Sequence, residues 1–152
     1  MRKSIFLLSI IAVLALALPA FADEAEDYID EEVAEWTEIA NNNDFVILDT
    51  IVEMVRDEVT IRMELAPGVY HFYSSGGLHV EDLDLYISDA EGMDINSDTL
   101  VDKIPIVVIL LDEPTIVDIR VDAWSYEAGY DEGYYCLLIT CEDDGDILEV
   151  FE

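Results

Sequence analysis

The sequence predicts an all-β protein, an antiparallel β-sandwich or jelly roll of seven to eight strands with a short N-terminal helix. Three observations lead to this prediction. Apolar and polar residues alternate over several short stretches, most cleanly in residues 59–65, as in strands with one buried face. Turn-forming pairs such as Pro67-Gly68 and Gly76-Gly77 separate these stretches. The stretches recur about every 8 to 12 residues, a spacing typical of sandwiches and jelly rolls.

Residues 1–22 have the three parts of a bacterial secretory signal peptide. Arg2 and Lys3 give a positive start, residues 5–18 are almost wholly apolar, and Ala20 and Ala22 fit an A-x-A cleavage site. The alternative, a membrane-spanning helix, needs about 20 apolar residues, and the apolar run of residues 5–18 is shorter than that and is followed by the cleavage pattern. We therefore expect a periplasmic or secreted protein with no membrane span after signal cleavage.

The mature chain is predicted to have two parts. Residues 23–43 form an N-terminal helix and a connection, with asparagines at 41–43 as the stop. The apolar stripe of this helix comprises Tyr28, Val33, Trp36, Ile39 and Ala40. We expect the helix to pack on the edge or end of the sandwich, and a partner-binding helix is the alternative. Residues 44–152 form the sandwich, with strands expected near residues 45–55, 59–65, 69–73, 83–88, 104–111, 116–124, 134–141 and 147–151.

Two segments of the sandwich give more specific expectations. Residues 104–111 are apolar throughout, so that both faces of a strand formed by them would be apolar. This predicts a central strand that is covered on both faces. Residues 89–102 are polar and acidic, and we expect them to form a connection without strand structure.

Acidic residues dominate the mature chain. All 36 aspartates and glutamates lie after residue 22, against four basic residues there. Such a charge repels nucleic acids and anionic lipids and favours cations or basic partners, although we favour solubility or adaptation to a salty habitat as its explanation. The chain is not expected to be disordered, because 53% of its residues are apolar.

The two cysteines, Cys136 and Cys141, have a spacing that disfavours an intrachain disulfide. On one extended strand, five residues place them about 16 Å apart. A disulfide requires Cα atoms within about 7 Å. A bend near Thr140 or a link between two chains remain alternatives.

Three segments resemble the bacterial pre-peptidase C-terminal domain: LAPGVYHFYSSGG, DLDLYISDAEG and IRVDAWSYEAGYDEGYYCLLI. The resemblance covers residues 59–139, and residues 113–115 depart from the family's Gly-Thr-Tyr. It implies a jelly-roll-like sandwich, export, and a binding or accessory role that in some members includes calcium or matrix-polymer binding. The positions that carry it are Leu65, Gly68, Tyr70, Asp82, Leu83, Asp84, Leu85, Tyr86, Asp89, Gly92, Gly133, Tyr134 and Tyr135.

A calcium site is the candidate metal site, because carboxylates cluster between residues 82 and 98. The run from Asp94 to Asp98 begins like an EF-hand loop, but positions six and twelve are Thr99 and Pro105 instead of Gly and Glu. Two interpretations remain: a calcium site of another type with oxygen ligands, or carboxylates that are simply solvated. The candidate ligands are Asp82, Asp84, Asp89, Asp94 and Asp98.

Aromatic residues around one loop form the candidate ligand surface. Trp124, Tyr126 and Tyr130 could stack on sugar rings or a peptide, or could instead belong to the core. No nucleophile elbow, zinc motif or phosphate loop is present. We therefore expect no enzyme, but an exported binding or accessory module with a protein or glycan partner. The alternatives are a calcium-stabilised structural domain and, more weakly, a small secreted hydrolase using His71 or His79.

Overall fold

The computed structural model describes residues 24–142, which comprise one helix followed by eight strands. The helix, α1, spans residues 24–42. The strands are β1 (Phe45–Val55), β2 (Glu58–Leu65), β3 (Gly68–Gly76), β4 (Val80–Asp89), β5 (Asp94–Asp98), β6 (Ile106–Leu111), β7 (Thr115–Tyr126) and β8 (Gly133–Glu142).

The strands form two antiparallel sheets. Sheet A has the order β1-β8-β3-β6, and sheet B has the order β2-β7-β4-β5. At each place in these orders, the two sheets hold strands that are neighbours in sequence: β1 with β2, β8 with β7, β3 with β4, and β6 with β5. This is the strand order of an eight-stranded jelly roll. The predicted fold class is confirmed.

The core lies between the inner faces of the two sheets and follows the period-two pattern of the strands. In β7, for example, Val117, Ile119 and Val121 are completely buried. Each large apolar side chain removed from water in this way stabilises the fold by about 1.5–3 kcal/mol. The largest fully buried core side chains are Tyr70, Tyr135, Phe72, Leu65, Leu83, Leu85, Ile87, Ile119, Leu137 and Ile139.

Helix α1 packs on the outer face of sheet A, so the expectation of a helix at the edge or end of the sandwich was wrong. The Trp36 ring stacks on Tyr73 of β3 at 4.9 Å, and Ala40 packs with Tyr73 and Leu138 of β8. The buried stripe also contains Ile29, which is completely buried and was missed in the predicted stripe. The apolar spacing showed which side of the helix is buried, but it could not show against what.

The predicted end of α1 is confirmed. The helix ends at residue 42, and the Asn43 side-chain amide donates a 2.7 Å hydrogen bond to the carbonyl of Ile39. Asp44 then takes a φ of 56°, the left-handed conformation that often closes a helix. Among residues 24–142, no helix is both long enough and apolar enough to cross a membrane.

Strand β6 lies at the edge of sheet A, so the prediction of a central strand covered on both faces was wrong. Val107, Ile109 and Leu111 point into the core, whereas Ile106, Val108 and Leu110 are 40%, 43% and 66% exposed. Side chains of β5 cap this edge: Asn96 Nδ2 donates to the Val108 carbonyl and Asp98 Oδ2 accepts from the Ile106 amide. Such bonds occupy backbone groups that would otherwise be open to strand addition.

Two further expectations have different outcomes. The segment 89–102 was predicted to lack strand structure, but it contains β5, a short and mostly exposed edge strand of sheet B. Cys136 and Cys141 are buried and form no disulfide, as the spacing predicted. The predicted signal peptide and the predicted last strand at 147–151 lie outside the described residues.

Ile119 and Ile116 are a matched pair of isoleucines in β7, one completely buried and one 44% exposed. Ile119→Ala should lower the free energy of unfolding by about 2–5 kcal/mol, because it leaves a cavity in the core. Ile116→Ala should change it by about 0.5 kcal/mol or less. Urea unfolding followed by tryptophan fluorescence measures both values. Equal losses would contradict the assigned inner face of β7.

Candidate functional site

Two connections and one strand end meet at one end of the sandwich: the β1–β2 turn, the β7–β8 loop and the end of β7. The Arg56 guanidinium pairs with the Glu132 carboxylate at 2.9 Å, which links the β1–β2 turn to the β7–β8 loop. These three segments surround an open depression of ≈ 370 Å³, which we call the aromatic depression. It is lined by Arg56, Asp57, Ala123, Trp124, Ser125, Tyr126, Tyr130 and Asp131. All three aromatic residues singled out from the sequence therefore line one surface.

Trp124 is 64% exposed and follows the period-two alternation of β7, in which Val121 and Ala123 are buried and the residues between them face outward. The pairing of β4 with β7 is irregular beside it, since the register passes from the pair Asp82–Ser125 directly to the pair Leu83–Ala123. Glu81 of β4 is skipped in the same way, so the two shifts cancel. The indole thus lies on the outer side of sheet B, at the end of the strand.

Tyr126 forms the base of the depression and is fixed by the backbone. Its hydroxyl donates to the carbonyl of Arg56 at 2.6 Å, with the carbonyl of Val55 at 3.1 Å. The ring packs partly against the core. Burial raises the pKa of Tyr126 to about 12, and the negative charges of Asp57 and Asp131 add to the rise. This residue therefore supports the site more than it offers a contact surface.

Tyr130 is held in place by His79, which the sequence did not mark as part of this site. The two rings stack with centroids 3.6 Å apart, and His79 Nδ1 lies 3.1 Å from a carboxylate oxygen of Glu127. Backbone hydrogen bonds also join these segments: the Glu127 amide donates to the His79 carbonyl, and the Tyr130 amide donates to the Glu127 carbonyl. Gly129 has a φ of 100°, a conformation that glycine adopts at little cost. Tyr130 remains 44% exposed on this support.

Asp82 and Asp84 lie on β4 and face several other carboxylates. Asp84 is 94% buried, as its relative exposure of 6% shows; it pairs in register with Asp122 and accepts a 2.9 Å hydrogen bond from the Tyr86 hydroxyl. Burial raises the pKa of Asp82, and the charges of Asp84 and Asp102 add to the rise. Carboxylates at this end of β4 thus repel one another.

The other three candidate calcium ligands are separate from this pair. Asp89 Oδ1 accepts the amides of Glu91 and Met93 and so closes the β4–β5 turn. Asp98 accepts amides through both oxygens, at Leu100 and at Ile106 of β6. Asp94 pairs with Ser88 at the start of β5. Within residues 24–142, no three Asp, Glu, His or Cys side chains are grouped to hold a metal ion.

The outer face of sheet B also carries two of the four lysine and arginine side chains of residues 24–142. Arg62 and Asp118 form a bidentate pair with two 2.7 Å bonds. Arg120 lies over the Tyr86 ring, 4.2 Å from its centroid. A second, smaller depression of ≈ 290 Å³ surrounds Arg120, but its only aromatic lining residue, Tyr86, is occupied by that contact.

The described residues place no serine hydroxyl against a histidine. Ser74 is completely buried and donates to the carbonyl of Cys136, while the Ser75 hydroxyl donates to a carboxylate oxygen of Glu32 in α1. His71 stacks on Phe45 and Tyr73 on the other sheet. The geometry therefore gives no support to a hydrolase built on either histidine.

No family model and no curated protein matches the chain. Among solved structures, it is similar to the pre-peptidase C-terminal domain of a Bacillus anthracis collagenase, with 10% identity over 60% of this chain and 87% of that one, at a TM-score of 0.48. It is also similar to the Aeromonas hydrophila periplasmic inhibitor of g-type lysozyme, PliG, with 10% identity over 62% and 85% of the chains, at a TM-score of 0.42. A structure described as CBM4 has 9% identity over 68% and 83%, at a TM-score of 0.38. These likenesses concern the fold alone, which the strand order already establishes.

Asp122 and Asp118, on the same face of β7, should affect stability in opposite directions. Burial raises the pKa of Asp122 above its ordinary 3.8, with Glu58 adding to the rise and Arg120 opposing it. The ionised carboxylate therefore destabilises the fold at pH 7, and this cost disappears as the pH falls through the raised pKa. Asp122→Asn should raise the melting temperature at pH 7, and the gain should vanish on acidification.

Asp118→Asn is the matched control for this prediction. The hydrogen bonds from Arg62 lower the pKa of Asp118, so its charge stabilises the fold above pH 3.8 and loses this effect as the pH falls through the lowered pKa. This variant should melt below the unmodified protein at pH 7. Melting curves between pH 3 and pH 7 compare the two, and a loss of stability in both variants at pH 7 would refute the account of Asp122.

Calcium binding stays a prediction, and a melting experiment tests it. Binding to the folded state alone raises stability by about 2.7 kcal/mol when the ligand exceeds its Kd a hundredfold. A rise with calcium that exceeds the rise with magnesium at equal ionic strength, and that Asp82→Ala/Asp84→Ala removes, would establish a site. Equal rises with both ions would mean only that the ions screen the repulsion among carboxylates.

Proposed function

We propose that this protein is an exported, non-catalytic binding module of pre-peptidase C-terminal type, and that it contacts its ligand through the aromatic depression. One observation carries the proposal: Trp124 and Tyr130 are 64% and 44% exposed beside the same depression. Large exposed aromatic rings on a soluble domain mark surfaces that become buried in a complex. Export is supported by the pattern of residues 1–22, and the family type is supported by the three matching segments of sequence.

The surroundings of the two rings favour a site that is formed before its ligand arrives. Tyr130 is stacked on His79, Tyr126 is bonded to the β1–β2 turn, and Arg56 links that turn to the β7–β8 loop. A surface held by such contacts loses little conformational entropy on binding, so that more of the contact energy appears as affinity.

Tryptophan fluorescence tests this proposal because the chain has two tryptophans. In a Trp36→Phe variant, Trp124 becomes the reporter of its own surroundings. We expect at least one of two panels, short peptides and neutral oligosaccharides, to change its emission with a saturable curve. Tyr130→Ala in the same background should weaken that binding by about tenfold, through loss of one aromatic contact.

Leu110→Ala is the matched control for this experiment, since Leu110 is a similarly exposed apolar residue (66%) on the opposite sheet. It should leave the binding curve unchanged. A failure of every peptide and oligosaccharide to change Trp124 emission would refute the proposed contact surface, and so would an equal effect of the two substitutions.

A further inference from the structure

Every basic side chain of residues 24–142 already has a partner within the chain. Three form ion pairs with carboxylates, including Arg120 with Glu58 at 3.9 Å, and Arg120 and Lys103 also lie against tyrosine rings. The pairs are Arg56–Glu132 at 2.9 Å, Arg62–Asp118 at 2.7 Å, Lys103 4.6 Å from the Tyr28 ring centroid, and Arg120 4.2 Å from the Tyr86 ring centroid. Because acidic residues greatly outnumber these four, most carboxylates have no cation within the described chain to neutralise them.

This excess of negative charge extends to the aromatic depression. Asp57 and Asp131 both line it and are exposed, while its one cation, Arg56, is bonded to Glu132. The pKa of Arg56 is raised by its hydrogen bond with Glu132 and further by the charge of Asp131. The raised pKa of Tyr126, at the base, agrees with a negative potential in the depression.

The depression therefore combines carboxylates with exposed aromatic rings, which is the combination that suits an organic cation. Lysine and arginine side chains offer only hydrogen-bond donors, and carboxylates offer only acceptors. A cation over an aromatic face is further attracted by the ring, most strongly by tryptophan. Such a contact already occurs within this chain, where Arg120 lies 4.2 Å from the Tyr86 ring centroid.

We propose that the aromatic depression binds a lysine or arginine side chain from a basic segment of a partner protein. The cationic group lies against Trp124 and the carboxylates of Asp57 and Asp131, and the apolar stem covers the ring of Tyr130. This inference rests on the proposed function and names its ligand. A neutral glycan could also stack on the rings, but it would gain nothing from the local charge. An anionic ligand would be repelled.

The size of the depression agrees with this ligand. Its ≈ 370 Å³ lies near the lower end of the range for ligand pockets, about 300–1,000 Å³. The depression therefore has room for a side chain and its flanking backbone, while the rest of a basic segment meets the acidic surface around it.

Calorimetric titration with three peptides tests the proposal. The peptides share one neutral sequence and differ only at their two central positions. These positions hold a basic residue (lysine or arginine) in the first peptide, glutamine in the second and glutamate in the third. The basic peptide should bind and the other two should not. Trp124→Ala should weaken its binding by about tenfold. Higher salt should weaken it further, because salt screens exposed charges.

Two double substitutions with the same change in net charge separate a specific site from general attraction. Asp57→Asn/Asp131→Asn neutralises the depression, whereas Asp112→Asn/Glu113→Gln neutralises two exposed carboxylates at the opposite end of β7. We expect the first pair to weaken binding of the basic peptide by about tenfold and the second by less than about twofold. Equal weakening by both pairs, with no effect of Trp124→Ala, would mean unspecific attraction to an acidic protein and would overturn the inference.

Neutral oligosaccharides, titrated in parallel, separate this inference from the proposed function. If an oligosaccharide binds in a manner that depends on Trp124 while the basic peptide does not bind, the binding site stands and the cationic ligand is refuted. If neither binds, both the inference and the proposed function fall.

Discussion

The inner faces of the two sheets must be buried against each other, and the other features of the structure depend on this constraint. A jelly roll satisfies it by alternating the strands between the sheets, so that every connection except the β4–β5 hairpin passes over an end of the sandwich. The β1–β2 turn and the β7–β8 loop meet at the same end for this reason. Residues as far apart in sequence as Arg56 and Glu132, 76 positions, can therefore form one surface. The candidate site is thus a product of topology as much as of local sequence.

The two outer faces of the sandwich have different surroundings. Sheet A is covered in its middle by α1, which packs through Trp36 and Ala40. Sheet B carries charged side chains on its outer face, where Trp124 lies at the end of β7. The chain therefore has one tryptophan that holds the helix on the sandwich and one that is exposed. The contact that fixes the helix is thus separate from the proposed binding surface.

The alternation of residues was enough to predict the fold class and the inward positions of strands such as β7. It was also enough to group Trp124, Tyr126 and Tyr130, because they are close in sequence and flank one loop. It failed at β6, where an apolar residue at every position was read as burial on both faces. In β6 the apolar residues of the outer face are instead exposed, at the edge of the sheet. The five predicted calcium ligands stay a prediction, and the fold distributes them over two strands: Asp82 and Asp84 lie near the start of β4, Asp89 lies at its end, and Asp94 and Asp98 lie on β5.

His79, Asp57 and Arg56 could not be assigned to the site from the sequence. Arg56 and Asp57 lie in the β1–β2 turn and His79 lies in the β3–β4 connection, whereas Trp124 lies in β7. Their contacts depend on which turns share an end of the sandwich. Nothing in the local pattern around Asp57 distinguishes it from the many other exposed acids of the chain. Only the strand order, once known, places it beside exposed aromatic rings.

Amide chemical-shift mapping during titration with the lysine peptide tests the central claim most directly, because it locates the contact without any substitution. The account predicts that the largest changes fall on residues 56–57 and 124–131 and on the Trp124 indole N–H. Changes centred on the exposed apolar residues of β6, or spread evenly over the acidic surface, would contradict it.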